Sequence, residues 1–589
     1  MKKLFLFAMV AAALSGCSNS DEVDTNPEVQ PGGEGYVGFS IQLPTTSSSA
    51  TRANDEFDDG NEADEYTVHN ATMFIFKGLN EADATFVDVY EMNVKSFNTS
   101  GSTTDQCATE GIVSSKITKP ETSGANIYAY VLINHNGLID LANKKIGEQV
   151  LTTTTKFSDF SKISLSDVGN LSNGMVMTNA PVASKAGGAS APAAGATVTT
   201  LTRLEPTKIF ATQDAAEANP AGEVYMERAA VKVTVKNGSL SGSIPSGAKY
   251  SPGSIKWALS NVNTQYYNTR QMKETWLSYH AQGDGTDEDI EGTVNADTKY
   301  RFVSGYAIHS GPCRTYWGED VNYNTDATTL ENPGAVDKES GTSAYTFENT
   351  FDVDHQVTKN TTGIAVSATF NDGNSFYTAS TYGDNNILQE PNSAVSGMKI
   401  QEYIMTYLCN NYSKFKTWYD ADGNNRITVT MDNTTATDAT VSAVTLPTGA
   451  QPLPGDFGQS EIFAALSSIT FKYYNGGVAY YNVLIKHFGD SETPWKPENH
   501  TDNSIGGVYK SINGTNLNTK PSPEDNYLGR YGIVRNNWYQ IEITGIRQIG
   551  SPVIVDPSGN DNPDDNVDNY LSVKIHITPW AVRKQNVEL

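Results

Sequence analysis

Residues 36–43 read YVGFSIQL, in which Val37, Phe39, Ile41 and Leu43 alternate strictly with Gly38, Ser40 and Gln42. A period of two puts the four apolar side chains on one face of an extended chain, which is the pattern of a half-buried β-strand. The same period returns at the far end, where Leu571, Val573, Ile575 and Ile577 alternate with Ser572, Lys574, His576 and Thr578. Between these two segments short apolar runs recur at 73–76, 127–134, 231–235, 255–262 and 364–370, separated by stretches rich in Thr, Ser, Asn and Gly. Strands spaced by turn signals predict an all-β chain of sandwich type, not alternating βαβ units. At roughly 100–200 residues per domain, the 589 residues correspond to two to four such domains.

The chain carries 41 Lys+Arg against 67 Asp+Glu, a formal charge of −26. That excludes a general nucleic-acid binder, whose phosphate contacts need a basic surface.

The N-terminus has two basic residues, Lys2 and Lys3, an apolar run over 4–13, and then Leu14-Ser15-Gly16-Cys17. The run is too short to span a membrane, which takes about 20 residues, and it fits a secretory signal. Small residues directly before a cysteine resemble the bacterial lipobox, in which that cysteine is lipidated. Residues 18–35 are acidic and rich in Pro and Gly, which predicts a flexible tether. Cys107, Cys313 and Cys409 are widely spaced and odd in number, so no disulfide framework is indicated, although one pair remains open.

Behind the strand at 36–43 lies 44–52 (PTTSSSATR), polar, aperiodic and ending in Arg52, a composition that predicts an exposed loop open to proteases. A cut between Arg52 and Ala53 would detach an amphipathic strand together with the lipid anchor. The domain left behind would expose an apolar groove and an unpaired sheet edge. The C-terminal alternation is a candidate to fill it. Pro579 interrupts that alternation, since proline donates no ladder bond, and a weaker segment follows with Trp580, Val587 and Leu589. Strand addition to a sheet edge is an established binding mode, and burial of Leu571, Val573, Ile575 and Ile577 would contribute about 6–12 kcal/mol as an upper bound. The other reading of this tail is the last strand of its own domain, with 556–569 as an acidic linker or long loop.

These features resemble the type V fimbrial subunits of Bacteroidales, most closely the large stalk subunits of the minor-fimbrium type. The resemblance rests on Cys17, the strand before Arg52 and Ala53, and the blocks at 127–134 (IYAYVLIN), 227–235 (ERAAVKVTV), 476–486 (GGVAYYNVLIK), 531–543 (YGIVRNNWYQIEI) and 570–589. It implies two transthyretin-like β-sandwich domains with few short helices, no enzymatic activity and no cofactor. It implies a lipoprotein precursor carrying palmitate or a like fatty acid on Cys17, brought to the outer membrane and cut after Arg52 by an arginine-specific protease. The removed strand would carry Val37, Phe39, Ile41 and Leu43. The tail of an identical neighbouring subunit, with Leu571, Val573, Ile575, Ile577, Trp580, Val587 and Leu589, would then fill the groove and build a homopolymer at the cell surface. Anchor and tip subunits and host-surface ligands are further implied partners. Anchor subunits are not cut, so a cleavage site favours a stalk role, and a tip role is the alternative. The corresponding organisation is a signal peptide at 1–17, a tether and removable strand at 18–52, sandwich domains at 53–236 and 237–569, and a donor tail at 570–589.

Within the second domain, 469–473 and 478–485 around Asn475-Gly476 predict a hairpin, because Asn-Gly supplies the positive φ angles of a tight turn, with 538–543 as its neighbour. Residues 398–418 and 461–466 have helical spacing, and 186–196 (AGGASAPAAGA) reads as a surface loop.

The motifs G-x-S-x-G, H-E-x-x-H, C-x-x-C and the phosphate loop are absent from the sequence. Gly33, Gly35 and Gly38 match G-x-G-x-x-G but lead into a strand, not out of one. Asp420, Asp422 and Asn424 begin like a calcium loop, yet Met431 stands where a bidentate Glu is needed. A rival reading is a monomeric surface lipoprotein that stacks glycans on exposed aromatics such as Trp276, Tyr279, Trp317 or Trp495.

Overall fold

The computed structural model describes residues 29–42, 65, 67–95, 110–166, 173–184, 197–274, 276, 302–307, 313–315, 317–352, 355–487, 529, 531–560, 571–578 and 583–584. Strands dominate, with few and short helices.

The first half contains β1 (Glu34–Gln42), β2 (Ala71–Gly78), β3 (Thr85–Val94), β4 (Glu110–Thr118), β5 (Asn126–Ile133), β6 (Met177–Asn179), β7 (Thr202–Leu204), the helix α1 (Gln213–Ala218) and β8 (Glu223–Arg228). Two strands change partners partway along. β3 pairs with β2 from Thr85 to Met92 and with β4 at Asn93 and Val94. β8 runs parallel to β1 at Glu223–Tyr225 and antiparallel to β6 at Met226–Arg228. With β6 also pairing to β5, the strands close into a ring. Val37, Phe39, Ile41, Met73, Ile75 and Val113 are among the side chains of the core these strands share. β2 is buried on its other face too, where Phe74 and Phe76 meet Tyr130, Phe157 and Phe160. Aromatic and β-branched residues suit a strand covered on both sides.

The second half contains β9 (Val231–Asn237), β10 (Lys256–Ser260), β11 (Ser343–Thr346), β12 (Gly363–Thr369), β13 (Phe376–Ala379), α2 (Ile400–Asn411), α3 (Ser413–Ala421), β14 (Thr428–Asp432), β15 (Thr440–Thr445), α4 (Gln459–Leu466), β16 (Phe471–Tyr474), β17 (Val478–Leu484), β18 (Trp538–Ile546), β19 (Leu571–Thr578) and β20 (Arg583–Lys584). One sheet has the order β11-β9-β18-β19-β20, and a second has the order β10-β12-β17. Val233, Trp257, Val366, Tyr481, Tyr539 and Ile541 belong to the core that both sheets share. A third core lies outside this pair, where β13, β16 and the hairpin β14–β15 pack with α2, α3 and α4 through Ile404, Phe415, Trp418, Ile462 and Phe471.

Several local expectations change. Val29 is buried and packed against the first core, Lys119 Nζ donates to its carbonyl at 2.7 Å, and β1 already begins at Glu34, so 29–35 are not tether. β8 ends at Arg228 among the strands of the first half, whereas β9, expected N-terminal of the boundary at 236, pairs with β11 and β18 of the second half. The helical stretch at 398–418 is two helices. Tyr412 is extended (φ −132°, ψ 103°) with its ring against Phe457, and the Asn411 side chain closes α2 by donating to the Tyr407 carbonyl at 2.8 Å.

The hairpin at Asn475-Gly476 does not form. Gly476 and Gly477 do have positive φ, but Gly477 lies against the Phe370 carbonyl, where a Cβ would come within 2.3 Å, and the turn carries the chain out of the third core into β17. β16 accordingly pairs with β13, β17 with β12, and β18 with β9 and β19. The predicted loop at 186–196 lies outside the described residues.

Candidate functional site

β1 is an interior strand, held along both edges by residues distant in sequence. On one side it pairs antiparallel with β4 over all nine residues, from Glu34 opposite Thr118 to Gln42 opposite Glu110. The other edge is assembled from several pieces. Tyr36 exchanges backbone hydrogen bonds with Phe210 at 2.7 and 2.8 Å, the Gly38 carbonyl accepts from Ala221 at 2.7 Å, Ser40 donates to the Gly222 carbonyl at 3.0 Å, and β8 takes over from Glu223. Val37, Phe39 and Ile41 are fully buried in the first core. At about 1.5–3 kcal/mol each they contribute roughly 5–9 kcal/mol as an upper bound.

The glycines at the start of β1 and within it have steric reasons. A Cβ on Gly33 would come within 2.9 Å of the Gln30 carbonyl oxygen, and one on Gly35 within 2.7 Å of Ile209 Cγ2. A Cβ on Gly38 would lie 2.5 Å from the Ala216 carbonyl oxygen and 3.0 Å from its carbonyl carbon. The G-x-G-x-x-G spacing is thus a packing pattern in a strand crossed closely by its neighbours.

The element that crosses at Gly38 is α1. Thr212 caps its N-terminus by accepting from Ala215 at 3.4 Å. Glu217 anchors it, since its carboxylate accepts from Ser114 on β4 at 2.9 Å, from Gln213 at 2.8 Å and from Lys95 at 2.6 Å. Those donors, Lys95 first and Gln213 next, hold the Glu217 carboxyl below the usual range.

At the other end of the chain, β19 lies antiparallel on β18. Its register places Ile577 opposite Tyr539, Ile575 opposite Ile541, Val573 opposite Ile543 and Leu571 opposite Ile546, with an irregularity between Ile543 and Gly545. The four partners on β18 are all buried in the second core. β20 pairs in turn with the far side of β19.

A layer of buried charge joins the two halves. Glu65 takes Lys232 at 2.5 Å with neither side chain exposed, its carboxylate accepts from the Tyr345 hydroxyl, and its carbonyl accepts from Arg228 Nε at 2.8 Å. Lys232 also sits 3.9 Å over the Trp538 ring. Arg270 grips Glu227 through Nε and Nη2, and Arg535 grips Glu348 and donates to the Tyr267 carbonyl at 2.7 Å. Burial raises the Glu227 carboxyl, and Arg270 and Arg535 oppose it. Such pairs need one another, because either charge alone would be stranded out of water.

Of the residues singled out from the sequence, Cys17, Leu43, Arg52, Ala53, Trp580, Val587 and Leu589 lie outside the described residues, as do Tyr279 and Trp495. The structure brings Val37, Phe39 and Ile41 together, and it sets the backbone of Leu571, Val573, Ile575 and Ile577 on a different sheet. Trp276 and Trp317 are not surface platforms. Both are buried, Trp276 against Phe302 and Tyr323 and Trp317 near Phe302 and His487, which overturns their use for stacking glycans. Asp420 pairs with Lys416 at 2.5 Å at the end of α3. Sequence reasoning missed Glu217, α1 and the charged layer. The one available signal was Glu227, Arg228 and Lys232 interrupting an apolar run.

Residues 508–586 match the family model for the major fimbrial subunit protein type IV (Fimbrillin, C-terminal). No curated protein matches the chain. Among solved structures, the chain is similar to a fimbrilin (fimA) from Porphyromonas gingivalis W83, with 14% identity, a TM-score of 0.33, and 93% of this chain and 99% of that one covered. It is also similar to the tip fimbrial protein Mfa3 from Porphyromonas gingivalis with C-terminal truncation (12%, 0.27, 93% and 100%) and to a candidate cell adhesion protein from Parabacteroides distasonis ATCC 8503 (11%, 0.36, 94% and 99%). The matched residues include β18, β19 and β20.

Proposed function

We propose that this chain is a structural subunit of a cell-surface fimbrium, made as a lipoprotein precursor through Cys17, cut between Arg52 and Ala53, and polymerised when the C-terminal segment of a neighbouring copy enters the slot that β1 vacates. The observation that carries the reading is the place of β1. It is an interior strand with three buried core side chains, and it precedes a polar segment that ends in Arg52. Its loss would open a groove between β4 on one side and the 209–225 stretch on the other, with the hydrogen-bonding groups of both edges unpaired. The fimbrillin-type match at 508–586 supports the same reading, because it takes in most of the segment proposed to be donated, up to residue 586. Glu65, held by Lys232, Tyr345 and Arg228, would keep the new N-terminal stretch fixed to the body of the subunit after the cut. A stalk position is favoured by the cleavable sequence at Arg52.

The test is to treat lipid-free protein with an arginine-specific protease, sequence the new N-terminus, and run the product unheated on a denaturing gel. A start at Ala53 together with a ladder of stable oligomers is expected. A cut at Arg52 that yields only monomer would overturn donor-strand assembly, and no cut there would overturn the processing step.

A further inference from the structure

The slot that β1 fills is roofed. Gly38 faces away from the core, on the side of β1 that α1 crosses, and a Cβ there would meet the Ala216 carbonyl oxygen at 2.5 Å, its carbon at 3.0 Å and the Glu217 Cα at 3.4 Å. All three are backbone atoms, so no rotation of a flexible side chain relieves the contact. Ala216, on the sheet side of the helix, is fully buried. Glu217 ties that helix to Ser114 and Lys95 on β4 and just past β3, strands that stay in place whatever fills the slot.

Residues 571–589 contain no glycine. In any register that keeps the pleat, a strand drawn from this segment therefore presents a Cβ where Gly38 has none. We propose that α1 is a glycine-matched latch: it closes over the slot while β1 occupies it and is lifted off the sheet when the C-terminal segment of a second copy takes the place of β1. The inference rests on the donor-strand reading above and adds its regulation. With β1 present the roof excludes every other segment of the tail, so subunits do not exchange strands before the cut. After the cut, seating the tail requires Glu217 to give up its bonds to Ser114 and Lys95. Gly38 and Glu217 are thus the residues that set which strand the slot accepts.

The test places a thiol in the latch, Ala216→Cys, in a lipid-free chain with Cys17, Cys107, Cys313 and Cys409 changed to Ser, and follows maleimide labelling of the uncut monomer and of the oligomers formed after cutting. Labelling about tenfold or more faster in the oligomer is expected, as for a buried site made accessible by local opening. Gly38→Ala in the uncut chain is expected to give the same fast labelling. Oligomers whose thiol stays as protected as in the uncut monomer would overturn the latch while leaving strand exchange intact. Absence of oligomers on the gel would instead overturn strand exchange, and the latch with it. If Ala216→Cys does not fold, hydrogen exchange of residues 212–221 in the unmodified chain reads the same opening, with loss of protection on assembly expected and unchanged protection overturning it.

Discussion

Lys232 and Glu65 meet at 2.5 Å with both side chains wholly withdrawn from solvent, and they join the start of β9 to a residue thirteen positions beyond Arg52. Removing one member of such a pair strands the other charge. Lys232→Met is expected to destabilise the protein by about 3–5 kcal/mol, read as a lowered urea midpoint, whereas Lys232→Met combined with Glu65→Leu recovers much of the loss. A single variant as stable as the parent would show that the pair is not closed in solution.

Phe39→Ala removes the largest side chain that β1 puts into the first core. A loss of roughly 3–5 kcal/mol is expected by thermal or urea unfolding. The same change should speed proteolysis around residues 43–64 as β1 loosens. Stability unchanged within error would mean that β1 is already detached in solution.

Glu81 accepts backbone hydrogen bonds from Thr200 at 2.9 and 3.0 Å and from Leu201 at 2.9 Å, and burial pushes its carboxyl up to about 7 despite them. An acid with a raised folded pKa holds more protons in the folded state between its ordinary value and the raised one. Its contribution to stability therefore falls as pH rises from about 4.5 to 7 and is least favourable above 7, with an upper bound of about 3 kcal/mol. Glu81→Gln keeps an acceptor and loses the titration. The stability difference between parent and variant should shrink or reverse as pH rises across that window, and a difference independent of pH would refute the assignment.

Deletion of residues 571–589 uncovers one edge of β18 and leaves the first module untouched. The truncated chain is expected to fold and to be cut at Arg52, yet to remain monomeric on an unheated gel and by size-exclusion chromatography. Long filaments from the truncated chain would sink the proposed role of the tail.

Much of the strand content was legible because period-two alternation is local. Val37, Phe39 and Ile41 declare their common face within five residues. What alternation does not carry is the neighbour. The pattern at Leu571–Thr578 fits a strand on β18 and a strand in the β1 slot equally well. The failed hairpin at Asn475-Gly476 has a similar cause, since the dipeptide specifies the φ angles of a turn and not which sheets the flanking strands join. The buried charges were hidden for a different reason. Arg228 donates its amide to Asn536, 308 residues later, and Glu227 finds Arg270 across 43 residues, separations over which sequence gives the charge but not the partner. The G-x-G-x-x-G spacing that ends at Gly38 leads into a strand, but the reason for a glycine there, the Ala216 backbone, lies 178 residues away.

The two-residue passage at Ala229-Ala230 also bears on mechanics. Both residues are buried, and the passage is flanked by ion pairs and by hydrogen bonds from Arg228 and Lys232 to the segment before β18. A two-residue connection that is buried and hydrogen-bonded on both flanks leaves little slack between β8 and β9. In the assembly proposed above, a passage this short would shift bending toward the contacts between copies, and the stiffness of the fibre would then depend on how the tail seats in its neighbour.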